Sequence, residues 1–590
     1  MTMNRKNYLL WAMFCLAVFI AVIPFANQVI QSPDTWKPLY IGRYVFEKQT
    51  LPSQEEFTFS PVRKSFNKNS FTWLGYVSLY GFYSIGSGWG IEMIQIFRLL
   101  VVFGAILIMI LIVRQRTPLV LFLLILWAPA SYLLLELRLQ LISVLFLPLL
   151  FWVYKNYRSR NNRRWLWFIP VLIMFWSNFH GSYLIGFWLI LLAVVGVIID
   201  AVIYNRGAWE WGLAGRLFVL SITLFLVVTY IHPKPVYDAY KTVNRIHSVG
   251  YEGVFVNQSS VESSDKSRTY YESVKHVLQN TVFSAEQKHS SGLHFPLERT
   301  HYLFVILALL IGTGGLLCML IHYSRLRFTE FLPFLAILFL GFGYMKTIGY
   351  VAVVGIPILL LKYNFGDFDR TQLGPITTTA IYVAIVLSLG NITYHHFNGS
   401  IENMLGAYNH QYGFGTSSRF SNEVPDNIKQ QFPGQQFYTD DVNGSYMIWK
   451  WWPEKKVYFD TRHLAYSVAF RHRYWNTGIR AQLKRADLKY AVVSLKNPRV
   501  YQYFIPHPEW ELLFFDTGSI AFQRTSKARS FPPMSKMLIS VVEFRRLPRI
   551  RELYIKALVH NLKRYQNRPR YLHIFESAWQ GFLVKPTDKK

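Results

Sequence analysis

Long apolar runs recur through most of this chain, and they constrain its fold more than any motif does. The first covers Tyr8 to Ala26, and others lie near 91–113, 117–135, 139–154, 165–177, 183–203, 213–231, 301–322, 328–344, 347–361 and 375–393. Many hold Leu, Ile, Val and Phe over roughly 17 to 22 positions, enough for a helix to cross a ~30 Å hydrocarbon core. Of the 590 residues 52% are hydrophobic, yet the formal net charge is +29. That combination indicates an α-helical multispanning membrane protein with basic margins and about 11 transmembrane helices. Arg5 and Lys6 precede the first run, which is long for a cleaved leader and reads as a retained signal anchor. Cys15 and Cys318, the two cysteines, both fall inside apolar runs, so no disulfide framework is expected.

Loop charge sets the orientation, because short cytoplasmic loops collect Lys and Arg. With the N-terminus inside, the cytoplasmic connections are Arg114 to Arg116, Lys155 to Arg164, Tyr204 to Arg216, His322 to Arg327 and Lys362 to Gln372, and each carries two or more Lys or Arg. The outer face then receives the large loops 27–90 and 232–300, the Glu136 to Arg138 turn, the Asn178 to Ser182 turn, Lys346 and everything after about 394. The expected partition is a transmembrane domain over 1–393, an extracytoplasmic α/β domain over 394–526 and a basic helical tail over 527–590. The α/β assignment rests on strand-like segments at 435–440, 455–462, 489–495, 510–516 and 519–525, with helical material at 479–487 between them. In the tail, Leu547, Ile550, Tyr554, Leu558, Leu562 and Tyr565 recur at helical spacing, and a second helix from Pro569 makes a hairpin. Fifteen Lys and Arg against four acidic residues there suit an anionic lipid surface or a solvated face. A tail facing away from the cytoplasm makes nucleic acid a poor partner.

Ionisable residues at the membrane margin are expensive and tend to serve function. Three stand out on the outer face: Asp34 in the first loop, Arg138 in LELRLQLIS (135–143) and His180 in WSNFHGSYLIG (176–186). Each also has an ordinary reading. Asp34 suits a cap for a helix starting at Thr35 or Trp36, Arg138 can snorkel or pair with Glu136, and His180 suits a structural hydrogen bond in a tight turn. Asp460 and Arg462, at the end of a predicted strand, fit either acceptor contact or an ion pair within the domain. Paired His395 and His396 lack a second ligand cluster, so no zinc site is expected.

Taken in order, SPDTWKPLYIGRYVF, LPSQEEFTFSP (51–61), LELRLQLIS, WSNFHGSYLIG and GSYMIWKWWPEKKVYFDTR (444–462) resemble bacterial membrane proteins of the GT-C glycosyltransferase type. These include relatives of protein O-mannosyltransferases, lipid A aminoarabinose transferases and oligosaccharyltransferases. The resemblance covers most of residues 1–526. It implies a sugar transferase of the bacterial inner membrane, using a polyprenyl-phosphate-linked donor and a glycan, lipid or protein acceptor outside the cytoplasm. Asp34 is the position matching the family's first-loop acidic residue, a general base or metal ligand. Thr35 follows it where many members carry a second acid, and Glu56 stands where relatives often have Asp before the Phe-Thr-Phe element. That departure from the family's paired acids points to metal-independent chemistry with no cofactor, a divalent metal being the alternative that the unpaired acid does not support. A phosphate leaves without a general acid, so one base suffices, unlike the carboxylate pair of ordinary glycosidases. Arg138 would hold the departing phosphate, with His180 and Lys346 assisting. The rival reading is a noncatalytic scaffold or assembly factor that keeps the GT-C shape without its chemistry.

Overall fold

The computed structural model describes residues 5–60, 72–112, 118–160, 163–203, 299–321, 327–343, 348–362, 413–417, 422–462, 488–494 and 509–525 except 517, with isolated positions elsewhere. The 527–590 hairpin, Lys346 and the His395–His396 pair lie outside the described residues, as does almost all of loop 232–300. Two compact units form. One comprises Met1–Val29 with Asn69–Phe414, the other Ile30–Lys68 with Gly415–Lys590. The loop 27–90 is therefore divided, and its middle segment folds with the chain from Gly415 onward.

The first unit is helical. It contains α1 (Arg5–Ala26) and, beyond α2 (Trp36–Lys48) of the other unit, α3 (Trp73–Ile85), α4 (Gly90–Ile112), α5 (Pro118–Ala130), α6 (Ile142–Arg160), α7 (Phe168–Phe179), α8 (Tyr183–Ile203), α9 (Arg299–Ile321), α10 (Phe328–Gly343) and α11 (Gly349–Lys362). Three segments, Gly90–Ile112, Leu139–Tyr157 and Tyr183–Ile203, are long and apolar enough to cross a bilayer, and shorter apolar helices accompany them. Against the expectation of about 11 spans, the described residues hold three of that length. On α4 the exposed Leu100, Leu107 and Leu111 share one face while Ile94, Val101, Val102, Ala105 and Met109 are buried on the other. On α8 exposed Trp188, Val195 and Val202 repeat every seven residues. Apolar side chains left outside at helical spacing are what a lipid-facing stripe requires.

Helix contacts in this unit need small residues and caps. A Cβ on Gly196 of α8 would overlap the backbone of Phe328, so α8 and α10 touch main chain to main chain only because this residue is glycine. Four residues on, buried Asp200 receives Phe328 N (2.9 Å), Thr329 N (3.1 Å) and Thr329 Oγ1 (2.7 Å). These are orphan donors at the start of α10. A carboxylate inside an apolar helix is thereby satisfied by a neighbouring helix terminus. In the first two turns of α4, Gln95 Nε2 donates to the carbonyls of Gln28 (2.9 Å) and Gly413 (3.1 Å), and Arg98 also donates to Gln28 O. Two buried polar side chains therefore hold the backbone just before it leaves this unit at residues 29 and 414.

The second unit is built on a four-stranded sheet ordered β1-β2-β4-β3. Its strands are β1 (Phe437–Thr439), β2 (Tyr490–Ser494), β3 (Trp510–Phe515) and β4 (Ser519–Arg524). β1 and β2 run parallel with Tyr438 opposite Ala491, and β2–β4 and β4–β3 are antiparallel with a register shift between Leu512 and Phe514. A parallel pair needs a crossover, and α13 (Asp441–Trp451) leaves β1 to begin it. Asp440 caps that helix through Asn443 N (3.0 Å) and reaches Ser494 N of β2 (3.1 Å). α12 (Glu423–Gln431) packs on α13 and β4. The predicted strand 455–462 is not a ladder strand. It runs extended, with Val457 bridging both Thr58 and Phe437, and Thr439 Oγ1 takes Tyr458 N (3.1 Å) and Phe459 N (3.0 Å). A side-chain oxygen replaces the regular ladder there, because residues 57–59 of the first loop take the other side of the segment. Gly444 is required at this seam, since a Cβ would overlap the Phe459 carbonyl.

The 30–68 segment is part of this unit's core. Along α2, Trp36, Leu39, Tyr40 and Tyr44 are buried at helical spacing. Trp36 packs against Tyr446 (4.7 Å between ring centroids) and Phe420 (5.1 Å), and Tyr44 against Phe57 (5.7 Å) and Trp452 (5.6 Å). Such aromatic pairs add about 0.5–1.5 kcal/mol each beyond the area they bury.

Candidate functional site

Within the second unit, Asp34 sits in a 3-10 turn, Pro33–Thr35, that runs directly into α2. Ser32 starts the turn, its hydroxyl accepting from Asp34 N (3.3 Å), and Pro33 supplies the fixed φ of a first helical position. Ser32, rather than Asp34, is thus the cap of this turn. Thr35 is fully buried and Asp34 half-buried. The carboxylate stands beside the N-terminus of α2, where the helix dipole favours negative charge.

Glu56 accepts the Tyr44 hydroxyl (2.8 Å), and burial together with Glu56 pushes the Tyr44 phenol up to about 12. Its neighbour Glu55 makes the wider contacts. Glu55 Oε1 receives Phe57 N and Thr58 N (2.9 Å each), and both Glu55 oxygens meet the Arg462 guanidinium at 3.0 and 3.1 Å. Arg462 also chelates Asp460 through Nε (3.0 and 2.9 Å) and Nη2 (2.6 Å). Phe57 and Tyr40 lie under its guanidinium at 5.0 and 5.7 Å. Asp460 is 0% exposed and Arg462 4%. Burial alone would lower the Arg462 pKa, but Asp460 first, then Tyr40 and Glu55, hold the cation well above its ordinary range. Of the two readings open for Asp460 and Arg462, this geometry favours an ion pair internal to the unit, joining its N-terminal segment to its C-terminal one.

In the first unit the turns that carry Arg138 and His180 meet. Arg138 is extended and leads into the 3-10 turn Leu139–Leu141, with its Nη2 2.6 Å from Glu136 Oε2. Both side chains are about a third exposed. The Glu136 carboxylate also acts electrostatically on buried Arg98. His180 closes α7, and its Nδ1 lies 2.8 Å from Ser182 Oγ and accepts Ser182 N at 3.1 Å. Ser182 Oγ further accepts Trp176 Nε1 (3.1 Å) and contacts Ser143 Oγ at the start of α6. Tyr350, opening α11, hydrogen-bonds Ser143, Gln140 and Ser182. Three separate turns, those at Arg138, at His180 and before α11, are thereby tied into one polar cluster.

Among the described residues no group of three His, Cys, Asp or Glu side chains is placed to hold a metal. In its own unit Asp34 is followed by buried Thr35 rather than a second carboxylate, so this stretch does not supply a divalent-cation donor pair. Reading the sequence missed Glu55, Arg98, Asp200, Ser182 and Tyr350. Arg98 and Asp200 had a signal, since each is a charge inside an apolar run. Nothing in the pattern distinguished Glu55 from Glu56.

No family model matches the chain, and no curated protein matches it. Among solved structures, the fold is similar to an archaeal oligosaccharyltransferase, AglB from Archaeoglobus fulgidus, in complex with an inhibitory peptide and a dolichol-phosphate. The TM-score is 0.48 at 12% identity, over 88% of this chain and 75% of that one. That likeness is too distant to carry a residue role or a ligand from one protein to the other.

Proposed function

We propose that this protein is a membrane glycosyltransferase that moves a sugar from a polyprenyl-phosphate-linked donor to an acceptor hydroxyl on the outer side of a bacterial inner membrane. The observation that supports it best is the polar cluster joining the Arg138, His180 and Tyr350 turns inside the helical unit. Buried polar groups in such a setting are retained at a cost that function accounts for. The order of short motifs resembling GT-C enzymes supplies the chemistry. Asp34 accepts the acceptor hydroxyl proton as that oxygen attacks the anomeric carbon. The bond from that carbon to the phosphate oxygen breaks, and its electron pair leaves on the phosphate, with inversion at the sugar. Arg138 holds the phosphate by charge-assisted hydrogen bonds, and His180 and Lys346 assist. The unit carrying Asp34 faces the periplasm, as loop charge indicates.

The noncatalytic reading is favoured by one observation, the pairing of Arg138 with Glu136 instead of an open cation. Purified protein in lipid nanodiscs, incubated with polyprenyl-phosphate sugars, separates the two. Release of polyprenyl phosphate above a heat-inactivated control supports transfer. Binding of the carrier without release across a panel of sugars and hydroxyl acceptors supports a scaffold.

A further inference from the structure

Residues 69–90 close the first outer loop without a single Asp, Glu, Lys, Arg or His, although a loop facing water ordinarily carries polar and charged side chains. Their helix, α3, packs on α4 and α7, with Phe82 and Phe97 5.0 Å apart between ring centroids. At 1.5 Å per residue its 13 residues run about 20 Å, too short to cross a ~30 Å hydrocarbon core. The turn after it is tight, with Trp89 N donating to Gly86 O (2.8 Å). It leaves Ile85 71% and Trp89 70% exposed, the two highest values for large apolar side chains among the described residues.

Trp89 also continues one face of α4. At 100° per residue, Trp89, Leu100, Leu107 and Leu111 fall within about 40° of one another, and all four are exposed. The stripe ends where Lys155 Nζ takes the carbonyls of Leu111 (2.6 Å) and Ile112 (2.9 Å), and from residue 89 to residue 111 the helix covers about 33 Å. An ammonium seeks the headgroup level, so with one border of the bilayer at Lys155 the other falls at Trp89. Tryptophan and tyrosine are the side chains that settle at such a border, and Tyr80 and Tyr83 of α3 lie stacked just before the turn, 5.9 Å apart.

We propose that α3 and its tip, Ile85 to Trp89, form an anchor seated in the headgroup zone of the outer leaflet, with lipid as the partner of the two exposed side chains. The anchor bears on the turns of the candidate site. A Cβ on Gly75 of α3 would come to 2.8 Å from the Phe179 carbonyl and 3.0 Å from Leu139, the residues beside His180 and Arg138. The depth of α3 thereby sets the height at which those turns meet the membrane surface. The anchor follows from exposure and length alone, whatever reaction the protein carries out.

Spin labels read that depth. Full-length protein carrying Cys15→Ala and Cys318→Ala, which removes both native cysteines, is labelled in nanodiscs at one introduced cysteine: Ile85→Cys, Trp89→Cys, Leu100→Cys or Leu111→Cys. All four positions are exposed, so the label leaves the packing of the bundle intact. Collision with oxygen, which partitions into acyl chains, is compared with collision with a water-soluble nickel chelate. The oxygen-to-nickel ratio should peak at position 100, midway along the stripe. At 85 and 89 it should match the ratio at 111 and stand several-fold above that of the free label in buffer. Ratios at 85 and 89 as low as the free label's would show a solvated loop and overturn the anchor. Labels there shielded from both reagents would show a protein partner, such as a second copy of the chain, and overturn the choice of lipid.

Discussion

Replacing Arg462 with leucine removes a guanidinium that makes five side-chain hydrogen bonds, three to Asp460 and two to Glu55. The pair is shielded, with side-chain exposures of 3% for Arg462, 0% for Asp460 and 11% for Glu55. Breaking a buried pair from one side typically costs about 3–5 kcal/mol, because the remaining charge stays desolvated. Two carboxylates remain here. Glu55 keeps its two backbone donors and Asp460 keeps Arg462 N, so the loss should fall within that range rather than above it. Glu55→Gln leaves the Asp460 chelate in place and should cost about 1–2 kcal/mol. Both are read by thermal unfolding of purified protein, followed by tryptophan fluorescence because Trp36, Trp451 and Trp452 are buried in the same unit. Limited proteolysis within 30–68 should accelerate in Arg462→Leu. If Arg462→Leu unfolds at the wild-type temperature and instead weakens acceptor use, Arg462 is an acceptor contact and the structural reasoning fails.

Three further outcomes follow from other contacts. Asp200→Ala strips three hydrogen bonds from the start of α10 and should destabilise the helical unit by about 2–3 kcal/mol, measured as a lower unfolding temperature in detergent, with Asp200→Asn intermediate. Glu136→Gln removes the carboxylate paired with Arg138. The pair is partly exposed and worth about 1 kcal/mol or less, so polyprenyl phosphate should bind up to about five-fold tighter, and weaker binding would show that Glu136 orients Arg138 productively. Asp516 is buried, and burial pushes its carboxyl up to about 6 from 3.8 even though it accepts Val424, Gly518 and Ser519 N–H groups. The folded form then holds the proton more tightly than the unfolded form, so stability falls as pH rises from about 4 to about 6. The shift of about two units corresponds to about 3 kcal/mol, and a titration of wild type against Asp516→Asn should show that difference shrinking over this window.

The helical part was legible because apolar periodicity and loop charge are local signals, and α4 and α8 fall where the runs at 91–113 and 183–203 were read. Four of the five strand-like segments contain β1 to β4 for the same reason. The failure at 455–462 is instructive, since VYF alternates like a strand while its partners are supplied by Thr439 and by residues about 400 positions earlier. A partner that distant leaves no trace in a local window. The same distance hid Glu55, whose role exists only once 30–68 folds onto 460–462. His180 was visible as a polar residue at a turn, but the cluster around its partner Ser182 was not, because Ser143 and Tyr350 come from other helices. Arg98 was legible in principle. It is a charge within the apolar run at 91–113, a placement that is costly unless the charge is held.

The proposed role of Asp34 as the base of a transferase is tested most directly by Asp34→Asn. The variant keeps the size of the side chain and the backbone bond from residue 34 to Ser32. It should therefore insert, unfold at the wild-type temperature and bind polyprenyl phosphate as before. Release of polyprenyl phosphate from a polyprenyl-phosphate sugar should fall at least about a hundred-fold. A variant that is equally stable and turns over at the wild-type rate would contradict the account.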